Sequence, residues 1–118
     1  MSEQNPFGKI EISPTAIATL AAQAVLQSYG VVGMAPKDLA DELMTALGDA
    51  AHRGVQVRVE GDRIRIDLYV IIEYGTRISS VAHSIMNVVQ YNVERALGVQ
   101  VAQVNVHVQG LRVSNSDV

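Results

Sequence analysis

Residues 63–75 read RIRIDLYVIIEYG, the longest β-like run in the chain. At period two, Ile64, Ile66, Leu68, Val70, Ile72 and Tyr74 share one face, which is wholly apolar, as a core-facing strand requires. Arg63, Arg65, Asp67, Tyr69, Ile71 and Glu73 share the other. This second face begins charged and turns apolar at Tyr69 and Ile71. A sheet face turned only to water has no reason to do that.

Immediately upstream, residues 55–60 alternate in the same way, with Val55, Val57 and Val59 inward. Gly61-Asp62 between the two runs is a two-residue hairpin turn, with glycine where a type II′ turn wants it. The turn fixes a register: Glu60 faces Arg63, Arg58 faces Arg65 and Gln56 faces Asp67. The Arg58–Arg65 juxtaposition is a mild cost unless Glu60 or Asp67 compensates diagonally.

Downstream, the spacing of Ile78, Val81, Ala82, Ile85, Val88, Val89, Val93 and Ala96 predicts a helix over 77–97, with Thr76 as N-cap candidate and Gly98 as stop. A last strand follows over 99–110. Val104, Val106 and Val108 point one way, and Val99 and Val101 lie in the opposite phase. A bulge near Ala102 or a later strand start reconciles them. Strand, helix, strand is a crossover unit, so the two long strands should run parallel with a right-handed connection.

The first half of the chain supplies the remaining elements. Residues 1–7 are polar and expected to fray, and 8–12 read as a short strand. Ser13-Pro14 is a helix start, and the helix is expected to reach Tyr29 and stop at Gly30. Its stripe is Ile17, Leu20, Ala21, Ala24 and Val25. Residues 30–34 (GVVGM) fit a brief strand or a tight turn, and Pro36 opens a second helix over 37–52. The fold class is α+β: a two-layer sandwich, a mixed β-sheet with helices packed on one face. One domain spans 8–111, with flexible residues at 1–7 and 112–118.

Composition narrows the function classes. At 118 residues the chain is one domain, long enough to bury about 65% of its unfolded surface. A net charge of −3, with scattered arginines, does not favour nucleic acid or anionic membrane. The absence of cysteine removes disulfides, thiolate chemistry and sulfur-based metal sites. The first residues lack the apolar core of a secretory signal, and no window approaches about 18 uninterrupted apolar residues. One phenylalanine and no tryptophan leave few platforms on which bases could stack.

No residue set displays a catalytic chemistry. His52, His83 and His107 are not at metal-ligand spacing, and each reads best as a structural or exposed histidine. Asp38, Asp41 and Glu42 suit a solvated helix start. Asp67 and Glu73 share a strand face but stand about 20 Å apart, too far for paired carboxylates. No catalytic residue, cofactor, metal or small-molecule substrate is expected. Gly30, Val31, Val32 and Gly33 match the GxxG loop with which KH domains clamp a nucleic-acid backbone. Such loops usually carry Lys or Arg between the glycines, and here the middle is Val-Val in an acidic chain. The sharper feature is the face opposite the helices. There Tyr69 and Ile71, rimmed by Arg58, Arg65, Asp67 and His107, fit a protein interface better than an ordinary surface.

Several blocks together resemble a known family. They are GKIEIS at 8–13, GVVGM at 30–34, DLYVIIEYG at 67–75 followed by Ile78 and Val81, GVQV at 98–101 and VNVHVQG at 104–110. They are similar to the alkaline shock protein family, the envelope stress response proteins of bacteria, over residues 8–111. The resemblance implies a non-enzymatic cytoplasmic protein of the envelope stress response. Its partners would be itself, as a homo-oligomer, or a membrane-anchored relative holding it at the membrane periphery. It carries over no catalytic residues. Two features depart from the family pattern: the segment before the hairpin is poor in Lys and Glu, and no long charged tail follows the last strand.

Overall fold

A computed structural model describes residues 2–5, 7–36 and 54–113. The second helix expected over 37–52, with His52, Asp38, Asp41 and Glu42, lies outside the described residues. In chain order the elements are β1 (Ser2–Asn5), β2 (Gly8–Glu11), α1 (Pro14–Leu26), β3 (Val31–Met34), β4 (Val55–Glu60), β5 (Arg63–Glu73), α2 (Ile78–Leu97) and β6 (Gln100–Arg112).

β5 is the centre of a mixed sheet. Its whole length pairs in parallel with β6. Its other side is shared by two short antiparallel strands, β4 opposite its first half and β3 opposite its second. The hairpin register is the expected one, from Glu60 opposite Arg63 to Val55 opposite Leu68. Gly61 has φ 64 and no described non-glycine residue, Asp62 included, has positive φ, so the turn has the sign pattern of type II′. In β6, Ile64 pairs with Val101 and Arg65 with Gln103, so Ala102 is the bulged residue. A second irregularity, not foreseen, leaves Gln109 between Val108 and Gly110.

Both described helices pack on one face. Ile64, Ile66, Leu68, Val70 and Ile72 are fully buried beneath Ile17, Ala21 and Val25 of α1 and Ile85, Val89 and Val93 of α2. The alanines of α1 let its backbone lie close to the sheet. Each buried Ile or Leu removes enough apolar surface to contribute about 2 kcal/mol. Ser13 caps α1, accepting the Ala16 N–H at 3.2 Å, and Gly98 ends α2 in the left-handed region at φ 66.

Five expectations are corrected. The helix α1 stops at Leu26 and not Tyr29, because Ser28 turns its hydroxyl back onto the Ala24 carbonyl at 2.9 Å and the chain bends into β3. Tyr74 does not continue the core face: β5 ends at Glu73, and Tyr74 is 64% exposed in the following turn. Thr76 does not cap α2; its hydroxyl donates to the Glu73 carbonyl at 2.7 Å and Arg77 is the N-cap. Ile78 and Ala96, at the two ends of the α2 stripe, are exposed. Strand pairing extends past the expected strands: Ser2–Asn5 pairs with Gly8–Glu11, and β6 runs on to Arg112 opposite Glu73.

Candidate interaction face

The odd-numbered residues of β5 form the second face of the sheet, and no described helix packs on it. The register decides what meets there. Asp67 lies opposite Asn105 and Tyr69 opposite His107 on β6, while Arg65 lies opposite Arg58 on β4. The parallel pairing and the Ala102 bulge therefore bring residues 38 and 40 positions apart into one cluster.

Within the cluster the rings of Tyr69 and His107 are stacked, with centroids 4.5 Å apart and planes 12° from parallel. Asp67 Oδ1 accepts from Asn105 Nδ2 at 3.0 Å and contacts His107 Nε2 at 3.1 Å. An ionised carboxylate only accepts, so Nε2 carries the proton in this contact. Burial alone pushes the Asp67 carboxyl up. The hydrogen bonds from His107 and Asn105 and the charges of His107 and Arg58 outweigh it and hold the group below its ordinary value. Asp67 thus fixes the His107 ring from one side while Tyr69 supports it from the other.

The arginines are balanced diagonally. Arg65 Nε lies 3.9 Å from Glu60 Oε1, and Arg58 is felt by Asp67. With the Arg65 and Glu60 side chains 39% and 59% exposed, that pair contributes little stability. Arg65 Nε is itself buried without a hydrogen bond. Ile71, half-buried, extends the cluster along β5.

Tyr69 also sits where the opposite edge changes hands. Its N–H donates to Gly54 O at 2.8 Å and its carbonyl accepts from Ala35 N at 2.9 Å. β3 and β4 thus abut across one residue of β5. Gly54 makes this possible: at φ 75, an added Cβ would stand 2.5 Å from Ala35 O and 2.8 Å from Tyr69 O.

The structure unites all six residues expected at the interface, Arg58, Arg65, Asp67, Tyr69, Ile71 and His107, on this face. It does not give the GxxG stretch a loop. Val31–Met34 is strand β3, with Val31 opposite Ile72 and Gly33 opposite Ile71, and Gly30 O accepts from Glu73 N at 2.8 Å. A KH-type clamp needs that backbone free, and here it belongs to the sheet. Asn105 alternates with Val104 and Val106 and so falls on this face, but its pairing with Asp67 depends on the bulge being at Ala102. His83 lies on α2 and is exposed, its Nδ1 2.7 Å from the Ser79 carbonyl. Among the described residues, no group of three His, Cys, Asp or Glu side chains could hold a metal ion, and no helix is long and apolar enough to cross a membrane.

YloU of Bacillus subtilis (strain 168) is 45% identical over 111 residues, which cover 92% of each chain. Spy1614 of Streptococcus pyogenes serotype M6 is 36% identical over 108 residues, 90% of this chain and 89% of that one. Among solved structures, a zinc form of the MamM CTD superposes with a TM-score of 0.51 over 86% of this chain and 90% of that one. At 15% identity that likeness bears on the fold alone. The family model for alkaline shock protein 23, described by a cell envelope-related function, matches residues 2–113. The chain belongs to the alkaline shock protein 23 family.

Proposed function

We propose that the protein is a non-enzymatic interaction module of the envelope and alkaline stress response, cytoplasmic and held at the membrane periphery by a membrane-anchored relative. The second sheet face is its docking surface. The observation that supports this reading is the stacked Tyr69–His107 pair, braced by Asp67 and Asn105, on the face that no described helix covers. A surface whose side chains are already ordered loses little entropy on binding, and a ring pair flanked by Ile71 and a polar rim has the make-up of an interface core.

The test is fractionation of native-host cells carrying wild type or Tyr69→Asp. Wild type should accompany the envelope fraction and be released by mild detergent together with an anchored protein bearing a related domain. Tyr69→Asp, folded by circular dichroism, should move to the soluble fraction. Identical distribution of the two proteins would rule this face out.

A further inference from the structure

The described strands leave the outer edge of β6 unpaired. β6 is 13 residues long, and its only Lys, Arg, Asp or Glu is Arg112. Exposed edges of that length normally carry Lys, Arg, Asp, Glu or proline that refuses a partner strand, and between its two bulges this one carries none of them. The opposite border of the sheet is different: β3 is short and irregular at Val32, and β4 bears exposed Arg58 and Glu60.

The direction of the free backbone groups follows from Val101. Its N–H donates to Glu94 Oε2 at 2.9 Å and its carbonyl accepts from Gln90 Nε2 at 3.5 Å. Two side chains of α2 thus close the start of the edge. Along a strand, side-chain face and backbone direction alternate together. Val101 faces the core and turns its backbone away from β5. Beyond the Ala102 bulge, core-facing Val104, Val106 and Val108 turn theirs away likewise. Arg112 obeys the same rule in reverse: it lies opposite open-face Glu73, and its carbonyl points inward to Tyr74 N at 2.8 Å.

The geometry points to β6 of a second copy as the occupant of this edge, paired antiparallel about a two-fold axis at Val106. That register sets Val106 against Val106 of the second copy and Val104 against Val108, so all three outward-turned valines exchange both backbone hydrogen bonds. On the open face Asn105 meets His107 of the second copy, and no like charges oppose one another. Val108, 38% exposed, gains an apolar neighbour in Val104 of the second copy. The edge between the bulges is therefore self-complementary in hydrogen bonding, in charge and in apolar surface. The two copies make one continuous sheet whose open faces lie side by side. The pairing uses backbone atoms at the edge and stands apart from docking on the Tyr69 face.

Light scattering after size exclusion, on the full chain, tests the pairing. Wild type should elute at two chain masses. Val106→Pro removes an outward N–H that β5 does not use, so it should fold and fall to one chain mass. Tyr69→Asp should stay at two, which separates this pairing from face docking. Because the chain has no cysteine, Val106→Cys gives a second readout that does not depend on the proline variant folding. It should form a covalent dimer under mild oxidation, and Gln103→Cys, about 20 Å from its own copy in this register, should not. A monomeric wild type with no Val106→Cys dimer would overturn the inference, as would equal cross-linking at both positions.

Discussion

Tyr69 carries two duties that its sequence neighbourhood shows only in part. Its ring belongs to the open face, and its backbone joins β3 to β4. The second duty makes Gly54 irreplaceable: Gly54→Ala forces a side chain into the left-handed region and against two carbonyl oxygens. It should cost at least about 2 kcal/mol, read as a lowered urea midpoint. Asp67 is the electrical centre of the face. Its carboxyl titrates below the ordinary 3.8 in the folded protein. A lowered folded value means that it stabilises the fold above the unfolded value and loses that contribution as pH falls through the folded one. Asp67→Asn should therefore be less stable than wild type by about 1 kcal/mol at neutral pH. The gap should hold down to about pH 5 and shrink below pH 4. A gap independent of pH would show that the charge of Asp67 is not what orders the cluster.

Among elements, β6 shows where sequence reading reaches and where it ends. The alternation of β5 and the Gly61-Asp62 turn give the hairpin register outright, because a two-residue loop leaves no freedom. The parallel pairing has a 20-residue helix in between, which fixes handedness but no register. Only the phase change between Val101 and Val104 hints at it, and that hint left a bulge and a later strand start equally open. The sequence puts Asp67 and His107 on one face, but the contacts of Asp67 with Asn105 and His107 depend on that register. The bulge at Gln109 gives no such signal, since Gly110 and Leu111 follow Val108 without a long alternating run. Tyr74 failed differently: its alternation is correct, but Gly75 at φ 100 turns the chain before the sixth apolar position is used. Deletions test the bulge. Removing Ala102 leaves Val101, Gln103 and Val104 in unbroken alternation, each on its present face, so the protein should keep its circular dichroism. Removing Asn105 inverts every later side chain of the strand and should unfold it.

At the scale of the molecule, the sheet has two surfaces of different character. One is filled by α1 and α2 and accounts for folding: Ile66→Ala there should cost about 3 kcal/mol of unfolding free energy through the cavity it leaves, measured by denaturant titration. The other carries the polar network around Asp67 and is the face proposed above for docking. The most direct measurement is site-specific photo-cross-linking in native-host cells, with a photoreactive phenylalanine at Ile71 on the open face or at Asn87 on the exposed side of α2. A covalent adduct is expected from position 71 to a membrane-anchored protein bearing a related domain, and none from position 87. An adduct from position 87 with none from position 71 would contradict it.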